Sequence, residues 1–199
     1  MRYFKEKSAS GTTLLTSDTL LIEKRNLFIE GEINSESALK FMKDMMCLIE
    51  QDNHKPIHVF INSCGGNVNS GLLIYDIIVN CPVEVNLYCI ECAFSMAAVL
   101  LACGKKGHRY IFEHSEVMLH EPLLPNGGGG SCSSLRSISN RLMEKKDLIL
   151  DLLVKHTNKD YAILEKEIAY DHYFSAQEAL AFGLCDKIIH FNELFEEES

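Results

Sequence analysis

Two consecutive stretches of this chain repeat one order: a strand-like apolar run, a tight segment of small residues, then an apolar helix. The first is "PIHVFIN" at residues 56–62, followed by "SCGG" at 63–66, read as a turn, and a helix over 68–79. The second is a strand over 83–90, a tight turn over 91–94 and a helix over 95–103, with Pro82 ending the first unit. Strands alternating with helices imply an α/β fold built of crossover units.

The rest of the chain fits that frame. Residues 19–33 read as two short strands ending at Gly31. Over residues 35–50, Ala38, Leu39, Phe41, Met42, Met45, Met46 and Leu48 recur at the spacing of an amphipathic helix. In the helix over 68–79, Leu72, Leu73, Ile74, Ile77 and Ile78 point mostly inward. Gly104 reads as the C-cap of the helix over 95–103. Short strands follow at 108–112 and 116–120, and Leu135, Ile138, Leu142, Ile149, Leu152 and Leu153 mark one face of a long helix reaching about His156. Helices near 161–169 and 175–182, the second closed by Gly183, precede a last strand, "LCDKII".

A chain of 199 residues with 47% hydrophobic content can bury a real core in one domain. The eight cysteines are therefore not needed as staples and read as mostly small buried hydrophobes. The formal net charge of −9 argues against non-specific nucleic-acid binding. No phosphate-binding G-x-x-x-x-G-K-[ST] loop is present, so ATP hydrolysis by this chain is not expected. The N-terminus lacks the apolar run of a signal peptide, and the longest apolar run, 96–103, is too short to span a bilayer. The expectation is a soluble, cytoplasmic protein: a flexible N-terminal segment over 1–18, one domain over 19–190 and an acidic tail over 191–199.

Polar groups at the carboxyl ends of strands are where α/β sheets collect function. Gly65 and Gly66 follow one strand, Ser95 follows another, and His120 ends a third in "EVMLHEP". A serine nucleophile needs a base, a group to orient that base and donors for the oxyanion. His120 suits the base. A Gly-Gly turn lets bare backbone approach the reacting atom, so Gly66 N–H and Met96 N–H suit the oxyanion. Each feature also has a plain structural reading: Ser95 as a helix N-cap, His120 as a satisfied strand-end residue, the glycines as a tight turn. Ala98 at the third helical position leaves no capping box, and Ala93 and Ala97 rule out a G-x-S-x-G elbow.

The segments "FINSCGGNVNSGLLIYD", "AFSMAAVLLACGKKGHRY", "VMLHEP" and "YDHYFSAQEALAFGLCD" occur in this order. Together they resemble the proteolytic subunit of the Clp protease (ClpP), over about residues 20–189. The resemblance implies a ClpP/crotonase-type superhelix of β-β-α units with a protruding handle helix, about residues 121–157. It implies Ser95 as nucleophile, His120 as base and Asp171 as acid, with Gly66 and Met96 as oxyanion donors. Asp171 comes from the resemblance alone. Substrate is expected to bind as an added strand, touching Gly65, Asn67, Val68, Gly129 and Gly130. No metal or cofactor is expected. Expected partners are unfolded polypeptide, an AAA+ unfoldase of ClpX or ClpC type, and further ring subunits, as heptameric rings of this chain or mixed rings with a second ClpP.

The sequence departs from the family pattern at several points. Cys64 stands where the family has proline, and Glu91-Cys92-Ala93-Phe94 replaces a G-x-A-A segment. Glu121 stands for glutamine after the histidine, and His172 for arginine after the acid, where it cannot form the same permanent bidentate pair. "LLPNGGGGSCSS" is unusually glycine-rich, and ordering four glycines carries a high entropy cost. These departures suit a divergent second ClpP copy completed by another subunit, with ring pairing sensitive to His172 protonation. Two other readings compete: a structural ring subunit regulating a catalytic partner, and a crotonase-type acyl-CoA enzyme. Cys89-x-x-Cys92 lacks the second pair a zinc site needs, and His114-x-Glu116 lacks the following P-C-x-x-C of a deaminase.

Overall fold

The computed structural model describes residues 3–8, 11–124 and 129–195. Five parallel strands form its spine in the order β3 (Asn26–Ile33), β4 (Ile57–Gly66), β5 (Val85–Phe94), β6 (Arg109–Phe112) and β9 (Lys187–Ile189). Two further strands, β7 (Glu116–Leu119) and β8 (His172–Ser175), extend the sheet. β7 runs parallel to the far end of β5 and antiparallel to β8. β5 thus pairs with β6 through residues 87–89 and with β7 through residues 92–94.

Strict alternation sorts the sheet's two faces. Ile57, Val59, Ile61 and Ser63 of β4 are buried, while His58, Phe60 and Asn62 are only half-buried. The core joins the buried rows to α2 (Ser35–Gln51), α3 (Val68–Val79), α4 (Met96–Ala102) and the end of α5 (Cys132–Thr157). All seven residues of α4 are buried, which explains why its sequence is apolar all round. On the other face, Phe28, Phe60, Tyr88 and Tyr110 stack in one row across four strands, with ring centroids 4.8–5.2 Å apart. Their registers place them directly opposite one another.

α2, α3 and α5 begin at Asn34, Asn67 and Ser131, whose side chains accept from helical N–H groups. α5 spans 26 residues, about 39 Å, but buries only Ile149, Leu150, Leu153 and Thr157, so its N-terminal half projects from the core. The segment expected as a handle over 121–157 is helical from Cys132 onward, and residues 125–128 lie outside the described residues. α6 (Tyr161–Glu167) and α7 (Ala176–Phe182) complete the chain before β9, and Gly183 caps α7 as expected.

Several local expectations are corrected. The first part of residues 19–33 is not a strand but the end of α1 (Ser17–Glu23), capped by Thr16. A short apolar run such as "TLLIE" does not by itself separate strand from helix. The strand that follows continues past Gly31 to Ile33 through a bulge at Glu30–Glu32. Residues 63–66 and 91–94 are not turns: they are the last residues of β4 and β5, held in the sheet by pairing of Ser63 with Ala93 and of residues 92–94 with β7. Gly104 is not the α4 cap. Cys103 is, and a side chain at Gly104 would strike Leu87 and Arg109. β8 was not anticipated. Residues 1–18, read as a flexible arm, contain a two-stranded antiparallel hairpin, β1 (Tyr3–Ser8) and β2 (Gly11–Thr16), with residues 1, 2, 9 and 10 outside the described residues. Of the acidic tail, Phe191–Phe195 forms a 3-10 turn and residues 196–199 lie outside the described residues.

One interaction that no motif announced ties the fold together. Arg109 is 2% exposed and binds Asp186 through two nitrogens, at 2.8 and 2.5 Å. Its remaining nitrogen donates to Ala102 O at 2.7 Å and Gly183 O at 3.1 Å, locking the ends of α4 and α7 to the sheet. A buried guanidinium is tolerated only with this complete set of partners.

Candidate active site

The site grows from strand register. β7 and β8 pair antiparallel, with Glu116 opposite Ser175 and Leu119 opposite His172. One step beyond the ladder, His120 therefore faces Asp171, and His120 Nδ1 lies 3.1 Å from Asp171 Oδ1. β5 runs beside β7 with Phe94 opposite Met118, and Ser95 N–H donates to Met118 O at 2.8 Å. That bond brings Ser95 to the same end of the sheet as His120, and Ser95 Oγ lies 2.7 Å from His120 Nε2.

Ser95 has φ 55° and ψ −121°, an unfavourable backbone state for a residue with a β-carbon. The chain leaves β5 at Phe94 and enters α4 at Met96, so Ser95 alone makes the turn from strand to helix. Its hydroxyl makes no capping bond to α4. Ser95 thus holds the N-cap position without capping the helix by its side chain, and its Oγ is turned to the imidazole instead. With Asp171 accepting from Nδ1–H, Nε2 carries the lone pair that faces the serine hydroxyl.

The two glycines are required by contact as well as by conformation. Gly65 has φ +87°, and a β-carbon there would lie 2.6 Å from Phe94 O, 2.8 Å from Ser95 Cβ and 3.0 Å from Met96 N. Gly66 has φ +148°, and a β-carbon would lie 2.3 Å from Ile33 O. The strand end is pinned by buried Ser63, whose Oγ donates to Gly31 O at 2.5 Å and accepts from Gly65 N–H at 3.0 Å. Gly65 therefore lies hard against the Ser95–Met96 junction, and Gly66 hard against Ile33 of β3. Met96 is the first residue of α4 and is buried.

The other residues expected to touch substrate are placed differently. Asn67 caps α3 and gives its N–H to Ile33 O at 2.7 Å, and Val68 is the first residue of that helix. Gly129 and Gly130 are exposed on the approach to α5.

The flanks of the triad hold several departures from the family pattern. His172 pairs with Glu167 of the same chain and stacks on Phe174 at 4.2 Å. Glu121 pairs with Lys146 at 3.2 Å, and Lys146 also reaches Glu165 at 3.6 Å. Hydrogen bonding to Glu121 raises the Lys146 pKa despite partial desolvation. Phe94 meets Tyr173 edge to face at 5.6 Å, forming an aromatic wall beside Ser95. The Asp171 side chain is 58% exposed and that of His120 only 15%, so the acid is the solvent-facing member.

From the residues alone, Ser95, His120, Gly66 and Met96 were legible and Asp171 was not. Its signal is indirect: Ser175 and Glu178 form the capping box that starts α7, which leaves the four residues before it as a strand with Asp171 at its head. Among the described residues, no group of three or more His, Cys, Asp or Glu side chains is placed to hold a metal ion. No helix among them is long and apolar enough to cross a membrane.

A serine, a histidine and an aspartate in one chain of hydrogen bonds, at the carboxyl ends of an α/β sheet, are arranged as in hydrolases that work by acyl transfer. The chain matches the protein-family model described as Clp protease over residues 9–192, and it belongs to that family. Its mixed α/β architecture, with a largely parallel sheet, is that of a ClpP-type peptidase. Membership also carries, in general terms, assembly into rings that work with an unfoldase.

Proposed function

We propose that this chain is a serine endopeptidase subunit of a compartmentalised Clp protease, cleaving unfolded polypeptide delivered by an AAA+ unfoldase. The observation that carries the reading is the 2.7 Å contact of Ser95 Oγ with His120 Nε2, backed by Asp171 at 3.1 Å. His120 takes the Ser95 proton as Oγ attacks the scissile carbonyl, and Asp171 stabilises the imidazolium. The oxyanion rests on the N–H groups of Gly66 and Met96; loss of one such donor raises the barrier by ~2.7–4 kcal/mol. His120 then protonates the leaving amine, and water releases the acyl-enzyme. Substrate pairs as an added strand beside Gly65 and the segment at Gly129 and Gly130, with unfolding powered by a ClpX- or ClpC-type partner.

A second reading is a divergent subunit that needs a second ClpP in mixed rings. It is favoured by His172, whose Nδ1 pairs with Glu167 of its own chain. The testing experiment is intact-mass spectrometry after exposure to a fluorophosphonate, beside Ser95→Ala, with native assembly size recorded in parallel. One adduct per wild-type chain and none on the variant is expected. Absence of labelling both alone and after mixing with a second ClpP would overturn the peptidase reading.

A further inference from the structure

Cys64 and Cys92 are both departures from the family pattern, and the fold puts them together. They lie on neighbouring strands, β4 and β5, near the pairing of Ser63 with Ala93. Cys64 shares a face of β4 with Asn62, and Cys92 Sγ donates to Asn62 Oδ1 at 3.3 Å. Asn62 thus stands beside both cysteines, next but one to Cys64 along β4 and in contact with Cys92 across the strand pair. Cys64 is exposed and Cys92 half-buried, so one is open to small oxidants and the other is more shielded on the neighbouring strand. Desolvation also pushes the Cys92 thiol up, to about 11, so the exposed Cys64 is the one that meets oxidant first; Cys89, Cys103 and Cys185 are fully buried, pushed up to about 12 and out of reach of oxidant.

We propose that Cys64 and Cys92 form a reversible disulfide that switches the site at Ser95. The switching part rests on the peptidase reading; the disulfide itself does not. With hydrogen peroxide as oxidant, the Cys64 thiolate attacks one peroxide oxygen, breaking the O–O bond and giving a sulfenic acid and water. The Cys92 sulfur then attacks the Cys64 sulfur. The S–OH bond breaks, the Cys92 proton leaves with the hydroxide as a second water, and an S–S bond forms. Both thiols are oxidised and one peroxide is reduced.

The consequence for the site follows from geometry. Two thiols on neighbouring strands must close to about 2.05 Å to form the bond. Cys64 is covalently joined to Gly65, which has no slack: a β-carbon there would already lie within 3.0 Å of Ser95 and Met96. Cys92 lies on β5 three residues before Ser95, which follows the end of that strand. The bridge therefore draws the strand bearing the oxyanion glycines against the strand bearing the nucleophile. Misplacement of about 1 Å at such a site lowers rate by about a hundredfold.

The full chain is treated with hydrogen peroxide, then digested without reduction and mapped by mass spectrometry. In parallel, the fluorophosphonate labelling rate is measured for reduced, oxidised and dithiothreitol-rescued protein and for Cys92→Ala. The expected result is a Cys64–Cys92 cross-linked peptide 2 Da lighter than the two thiol peptides, a fall in labelling of about tenfold or more, recovery with dithiothreitol, and no fall in Cys92→Ala. Over-oxidised Cys64 beside an intact Cys92 thiol, or a different dominant disulfide, would overturn the proposal. So would a cross-link that leaves labelling unchanged. If reduced wild type does not label at all, the peptidase reading fails, while the peptide map still decides the disulfide.

Discussion

His120 faces Asp171 because Leu119 pairs with His172: the antiparallel ladder of β7 and β8 runs out one residue before this contact and aims it. The two side chains are 51 residues apart in sequence. The imidazole orientation is thus a property of strand register, and a register slip would separate the pair.

The triad reading fixes an order of severity. Ser95→Ala and His120→Ala are each expected to lower kcat by about 10⁶, because the members act as a unit. Asp171→Asn is expected to cost less, about 10³–10⁴. Its exposed carboxylate is already weakened by solvent. Peptide hydrolysis by the three variants checks the ranking, and equal loss at Asp171 and Ser95 would contradict it.

Gly65→Ala tests the contact between the β4 end and the Ser95–Met96 junction. The new methyl meets Phe94 O and Ser95 Cβ at 2.6 and 2.8 Å in a left-handed conformation. A destabilisation of about 1–3 kcal/mol is expected, together with loss of fluorophosphonate labelling at temperatures where the variant is still folded. Thermal unfolding and labelling on the same sample separate the two effects.

Asp186→Asn leaves Arg109 buried without its counter-charge and should destabilise the fold by about 3–5 kcal/mol. Burial alone would raise the Asp186 pKa, but the Arg109 guanidinium and the backbone N–H groups of Gly107 and Arg109 outweigh it and hold the pKa below the usual range. A depressed folded pKa gives stability that is full above the unfolded value of about 4 and is lost as pH falls through the folded one. Denaturant unfolding from pH 7 to pH 3 should therefore show wild type and variant converging only below about pH 4.

His156 supplies a second acid-sensitive element. It is half-buried against Tyr75, with Nε2 3.3 Å from the phenol oxygen, and desolvation, then Lys155 and Arg109, lower its pKa. The unfolded chain binds this proton first, so the contribution is full above about pH 6.5 and declines as pH falls below it. His156→Gln is expected to flatten the stability profile between about pH 6.5 and pH 5, as read by urea midpoints.

The order of strands and helices was determined by the sequence itself, because hydrophobic period and helix caps act over a few residues. The helix over 68–79 matches α3 end to end, and Ser95, His120 and the two glycines stand out as polar or small residues at strand ends. What the tertiary structure decided depends on partners far along the chain. Residues 63–66 and 91–94 look like turns in isolation and become strand because neighbouring strands satisfy their backbone groups. Asp171 meets His120 only through ladder register, Arg109 finds Asp186 across 77 residues, and Cys64 and Cys92 come to neighbouring strands only because β4 and β5 pair. Local pattern specifies which elements form; long-range pairing specifies which side chains they bring together, and the chemistry of this chain belongs to the second.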